Sequence, residues 1–317
     1  MAAIVEPGSL IWGMQLPIQT LTRSLREPWE DHASVADLVE VAQRAEATGH
    51  GFVGVCDHVA IPDDDYARHM TTTWYDPVAT LAYLAAATTS VRLLSVVWIA
   101  AYRHPLLTAK SFATLDHLSG GRVVLGVGAG HVAGEFAALG VDFASRGELL
   151  DEAIDGVRAA LGAGTYSTFA GPTVSWADAG VGPKPAQAEL PVWVGGNSAP
   201  AFRRVGARGD GWIPMGNPLE QYPSILDTIR RSAAAAGRED TTFDIGYMPP
   251  WLYVGDPGDF ALPEWCLTGS GERIAEALLA ARAAGANVLH LKFRNRSKAE
   301  LLDQLDAFAA EVVPHLR

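Results

Sequence analysis

Short apolar runs bounded by glycine, proline and polar clusters alternate along the chain with longer stretches whose apolar positions recur every three or four residues. Eight of the short runs read as β-strands: residues 10–16, 52–57, 92–99, 123–128, 191–195, 211–214, 245–254 and 288–293. The second, third, fourth and eighth are almost continuously apolar, the pattern of a strand buried on both faces. Helix signals lie between them. Ser34 and Asp37 form a capping box, Val35, Leu38, Ala42 and Ala45 share one face, and Gly49 closes that helix. Asp76-Pro77 opens a second helix, Pro105 a third that Gly120 follows, and Ser297 with Glu300 starts the last.

Strand and helix in strict alternation predict a parallel sheet with crossover helices. Eight such units in 317 residues define an α/β chain folded as a (β/α)8 TIM barrel in one domain, residues 1–317. The segment 162–190, rich in Gly, Pro, Thr and Ser and without periodicity, reads as an insertion before strand five. The rival, an open doubly wound sheet, normally binds dinucleotides through G-x-G-x-x-G. The nearest match, Gly126-Val127-Gly128-Ala129-Gly130-His131, fails at its last glycine.

Composition narrows the function classes. A net charge of -12 gives no global field for nucleic acid or anionic lipid, so an anionic ligand has to be held by local geometry. Two distant cysteines, Cys56 and Cys266, offer neither a disulfide framework nor a CxxC pair, and no run is long enough for a membrane span. The expectation is a cytoplasmic protein with a small-molecule substrate and no nucleic-acid or membrane partner.

In a barrel the chemistry sits where strands end at the C-terminal face. Strand one brings Trp12 and Gln15 there, strand two Asp57 and His58, and strand three Ser95, Val96 and Trp98. Strand four brings Gly128, Ala129, Gly130 and His131, and strand five Gly195, Gly196, Asn197 and Ser198. Trp12, Gln15 and Trp98 are the candidate substrate-pocket residues. His58 and His131 are the candidate proton-transfer groups, because histidine titrates near working pH. The Gly195–Ser198 segment runs into a helix whose first N–H groups can hold a phosphate without a large positive field. Ser119-Gly120-Gly121-Arg122 precedes a strand, at the face associated with stability, and Arg146 and Glu152 read as a structural pair or surface charges. There is no HExxH, no carboxylate cluster at strand ends and no G-x-S-x-G elbow, so no metal centre is expected. Aromatic walls, glycines and one phosphate turn suit a flavin-like cofactor.

The stretch HPLLTAKSFATLDHLSGGRVVLGVGAG, with EFAALGVDF and RGELLDEAI after it, strongly resembles the luciferase-like monooxygenase superfamily, in particular its coenzyme F420 (deazaflavin)-dependent oxidoreductases. GHGFVGVCDHV, GPKPAQAELPVWVGGNSAPAFRRVGARGDGWIP and the tail from Thr268 to Leu316 resemble it too, so the likeness covers most of the chain. The resemblance implies a barrel with insertions, F420 (or FMN) at its C-terminal mouth and a homo-oligomer, a dimer in the first instance. By position it implies that Asp57-His58 is the pair beside the deazaflavin ring, and that Ser95-Val96 is a non-prolyl cis peptide behind it. Gly128, Ala129, Gly130 and the GGNS segment then contact the cofactor. One position departs: the sugar-phosphate dehydrogenases of this family carry Glu where His131 stands, so their substrate does not transfer. Three functions stand: hydride transfer between F420 and an organic substrate, an FMNH2/O2-dependent monooxygenase, and a non-catalytic flavin or deazaflavin carrier.

Overall fold

A computed structural model describes residues 3–316. The described residues form thirteen strands: β1 Ile11–Gln15, β2 Phe52–Val55, β3 Arg92–Ser95, β4 Trp98–Ile99, β5 Val123–Gly128, β6 Ser167–Ala170, β7 Ser175–Ala179, β8 Val192–Gly195, β9 Gly211–Ile213, β10 Asp244–Tyr247, β11 Leu252–Val254, β12 Leu267–Gly269 and β13 Val288–Leu291. The main helices are α1 Val35–Ala47, α2 Pro77–Ala87, α3 Pro105–Ser119, α4 Ala133–Ala138, α5 Arg146–Leu161, α6 Ala199–Arg208, α7 Tyr222–Ala235, α8 Gly271–Ala283 and α9 Lys298–Ala307.

Parallel pairing runs β3-β2-β1-β13-β10-β9-β8-β5, and a β3–β5 pairing closes the circle into an eight-stranded barrel. Alternation along each strand separates two apolar cores. Ile11, Phe52, Leu94, Val124, Trp193, Ile213 and Val288 point inward and fill the barrel. Their neighbours Met14, Val53, Leu93, Leu125, Val194 and Leu289 point outward under the helices. At the N-terminal end, Asp244 accepts hydrogen bonds from the N–H groups of Ile4 and Val5 and from Trp193 Nε1, which fastens the chain's start beneath the barrel.

Two expected strands are divided. The run 92–99 breaks at Val96-Val97 and resumes as β4, which pairs with β5. The run 245–254 breaks at Met248-Pro249-Pro250-Trp251, where two prolines lack the N–H a ladder needs. Beyond it β11 pairs with β12 and bridges Phe293.

The 162–190 segment is not featureless: β6 and β7 form an antiparallel hairpin. Glu152 holds its turn, accepting from the N–H groups of Thr173 (2.7 Å) and Val174 (2.9 Å). Glu152 therefore does not pair with Arg146, which lies over the Phe143 ring at 4.0 Å. Arg122 braces the bottom face, its guanidinium bonding the carbonyls of Ala85, Thr88 and Val91.

Candidate active site

The centre of the C-terminal mouth is a bulge between β3 and β4. The Val96–Val97 peptide bond is cis, one residue beyond the position expected. Ser95 is still ladder: it pairs with Val55, and its buried hydroxyl donates to Gly126 O at 2.9 Å. Glycines make room for this bulge. A Cβ on Gly126 would stand 2.0 Å from Ser95 O, one on Gly128 2.4 Å from Val97 Cγ2, and one on Gly195 2.7 Å from Val97 Cγ1. A Cβ on Gly54 would press on Val96 at 3.1 Å. Gly128 and Gly195 thus admit a protein side chain, and Val96 and Val97 form the small apolar platform between them. Gly130, at φ +82°, faces Phe136 and Ile99 in the same manner. Ala129 packs at the edge of the outer core.

One wall of the mouth grows from β2. Asp57 is buried, and its carboxylate accepts from Ile99 N–H (2.7 Å) and from two nitrogens of Arg103 (2.5 and 2.8 Å). Arg103 in turn covers the Trp98 ring at 3.5 Å. Asp57 is therefore fully occupied in holding the far side of the bulge, because a buried charge needs such a partner.

His58 turns the other way. Its Nδ1 lies 2.9 Å from Glu135 Oε2, and Glu135 Oε1 accepts from the N–H groups of Val59 (2.5 Å) and Ala60 (3.1 Å). Both side chains are nearly buried, at 7% and 2% exposure. Burial raises the Glu135 carboxyl, but the His58 bond and the two amides outweigh it and hold the group below the usual carboxylate range. An ionised Glu135 can only accept, so His58 carries a proton on Nδ1. The Trp74 ring stands 4.3 Å from the His58 ring and His131 5.4 Å, nearly perpendicular. His131 accepts or donates at Nδ1 with Tyr66 Oη (2.9 Å), and desolvation by burial lowers its imidazole. The two expected histidines thus share one wall.

The Gly195–Ser198 turn lies across the platform. Gly196, at φ +129°, has its N–H on Ile213 O and its carbonyl on Trp212 Nε1, so it supplies shape and no free donor. Asn197 and Ser198 are exposed, and Ser198 stands at the α6 N-cap without a side-chain cap bond. Pro200 removes one donor from the first turn, which leaves the N–H groups of Ala199 and Ala201.

The tryptophans expected in the pocket do not reach it. Trp12 points outward, its ring 6.3 Å from Phe308, because it falls on the helix-facing parity of β1. Trp98 is buried against Phe112 of α3 and donates to Thr108 Oγ1 at 3.2 Å. Gln15, on the opposite parity, faces inward, and its buried Nε2 finds no partner among the described residues.

Glu135, Trp74, Tyr66, Arg103, Lys292 and His290 escape the sequence reading. His290 and Lys292 leave a usable signal, two polar residues at alternate positions in an apolar strand, which places both inside the barrel. Among the described residues no group of His, Cys, Asp and Glu could hold a metal ion, and no helix is long and apolar enough to cross a membrane.

Residues 14–261 match the luciferase-like monooxygenase family. The F420-dependent hydroxymycolic acid dehydrogenase of Mycobacterium tuberculosis is 32% identical over 208 residues, 65% of this chain and 56% of that protein. Monooxygenase RslO1 from Streptomyces bottropensis superposes with a TM-score of 0.79 at 20% identity, covering 97% of this chain and 100% of that one. An F420-dependent secondary alcohol dehydrogenase bound to an F420-acetone adduct superposes at 0.77 with 19% identity, covering 98% and 99%. These two likenesses are of fold.

Proposed function

Since this chain belongs to the luciferase-like monooxygenase family, we propose that it is an F420-dependent oxidoreductase, transferring a hydride between the deazaflavin and an organic substrate. The observation that carries this reading is the His58–Glu135 pair at the edge of the Val96–Val97 platform. It supports a reading in which one imidazole nitrogen of fixed tautomer serves a flat ring lying on that platform. The F420-dependent relative supports the same choice.

The residues present fit such a group. Val96 and Val97 would back its ring, and Asn197, Ser198 and the first N–H groups of α6 would hold its phosphate. When bound, the deazaflavin supplies or accepts the hydride. The protein's part is to position and to move a proton. Glu135 keeps Nδ1 of His58 protonated, so Nε2 gives or takes the proton of the substrate oxygen. His131, held by Tyr66, stands close enough to relay it to solvent. Asp57 and Arg103 lock the platform from below.

The fold neighbour named as a monooxygenase keeps a second reading in view, a reduced-FMN enzyme that uses oxygen. Calorimetric titration of the purified protein with F420 and with FMN separates them. Tight binding of F420 with weak FMN is expected; tight FMN binding with none of the deazaflavin would overturn the assignment.

A further inference from the structure

The wall next to the His58 strand is built from β1 and β13, which follow β2 around the barrel, and its polar groups are left over. The two strands are parallel with Gly13 opposite His290 and Met14 opposite Leu291, so the next inward pair is Gln15 and Lys292. Leu289 and Leu291 belong to the outer core and Val288 to the barrel interior, which fixes His290 on the inward face, and the ladder continues through Leu252 N–H to Lys292 O. Gln15 Nε2 and both ring nitrogens of His290 are buried without a hydrogen-bond partner among the described residues. Gln15 is 9% exposed and His290 5%.

Lys292 is half-buried above them. Its ammonium donates to Leu25 O and sits 4.2 Å from the centre of the Trp251 ring. The carboxylates nearby are engaged elsewhere: Glu27 with Arg294, and Glu30 with the N–H groups of Ile18 and Glu27. Burial pushes the Lys292 ammonium down to about 8 and the His290 imidazole down to about 4. Near neutral pH Lys292 keeps its charge and His290 is neutral, with one donor and one acceptor. Donors therefore exceed acceptors, and buried donors without partners call for an acceptor from outside the chain.

We propose that Lys292, Gln15 and His290 form a subsite in the mouth that takes the carboxylate of an organic acid, whose flat apolar body lies against Trp251 and Trp265. The two indoles stand 6.0 Å apart at 85°, Trp265 exposed and Trp251 half-buried, so together they make an angled apolar wall above the ammonium. A single negative charge matches the single ammonium. A phosphate dianion would bring a second charge towards Glu27 and Glu30, the carboxylates nearest Lys292. The two oxygens of a carboxylate suffice for an ammonium, an amide N–H and an imidazole N–H. This subsite deepens the oxidoreductase reading and rests on it only for the claim that the acid bound there is substrate.

The probe is benzoate, with benzamide as a neutral control of the same shape, titrated calorimetrically into the full chain with and without F420. Benzoate is expected to bind at least 10-fold tighter than benzamide. Lys292→Met should cost benzoate 10-fold or more, leave benzamide unchanged and keep F420 affinity at the parental level. Gln15→Leu, read in the same titration, should weaken benzoate several-fold and covers the case in which Lys292→Met does not fold. Equal affinity for the two probes, or parental benzoate affinity in the folded variants, would overturn the subsite. Benzoate binding without F420 binding would leave the subsite intact and sink the cofactor reading instead.

Discussion

The two walls of the barrel mouth differ in how their polar atoms are spent. On the β2 side, Asp57 is closed off by Arg103 and Ile99, and Glu135 by His58, Val59 and Ala60. On the β1–β13 side, Gln15 Nε2 and both ring nitrogens of His290 are also buried, without a hydrogen-bond partner among the described residues. Carboxylates whose oxygens are all engaged are held rigidly, and rigidity is what a proton-transfer group beside them needs, since its geometry has to be right before substrate arrives. Unsatisfied donors do the opposite work. They leave the site incomplete until a ligand brings acceptors. On the proposed function the β2 wall serves the chemistry and the β1–β13 wall the recognition.

The largest test of that division is at His58. His58→Asn, with the substrate saturating, is expected to slow turnover by roughly 10² to 10⁴-fold while F420 affinity changes little. His131→Gln should slow it less, because His131 acts behind His58. Parental turnover in both variants would take proton transfer away from this wall.

Next in size is Glu135→Gln. It removes the charge that orders His58, Val59 and Ala60, and hydrogen bonds to a charged group contribute about 1.5–3 kcal/mol. Urea unfolding should show a loss in that range, and the pH profile of turnover should move, since the His58 tautomer is no longer imposed. A stability loss with an unmoved pH profile would reduce Glu135 to a loop anchor.

Acid titrates the open wall. Burial holds His290 and His50 at about 4, below the ordinary 6.5. Between those values the unfolded chain binds protons that the folded chain refuses, so stability falls as pH drops through this window. The cost at pH 5 is about 2 kcal/mol for each such histidine. His290→Gln should therefore flatten the slope of unfolding free energy against pH between 6.5 and 5; an unchanged slope would mean that His290 is solvated.

The smallest effect is expected at Ser198. It makes no cap bond with its own helix, so Ser198→Ala should leave the melting temperature unchanged and weaken F420 a few-fold. A lowered melting temperature with parental F420 affinity would turn the segment into an ordinary cap.

Much of the fold was legible because periodicity and capping are local. The alternation of strand and helix and the capping box at Ser34 follow from residues near one another in sequence. The site was legible only in part. His58 and His131 were visible because strand ends are privileged positions in a barrel, and their positions do converge. Trp12 was misjudged by strand parity: one residue either way exchanges interior for exterior. Gly128 and Gly195 are expected from the sequence to contact the cofactor, but what lies against them is Val97 of the same chain, a contact made by a bulge that no local pattern announces. Glu135 lies 77 residues from His58, on a six-residue helix, and only the closed fold brings them within 2.9 Å.

The central claim is that the chain moves a hydride and needs no oxygen. The direct measurement is anaerobic turnover: the full chain with F420 and a panel of alcohols and carbonyl compounds that carry a carboxylate, followed by the change in deazaflavin absorbance. The account predicts turnover at the same rate with and without oxygen. Turnover that appears only with reduced FMN and oxygen would contradict it.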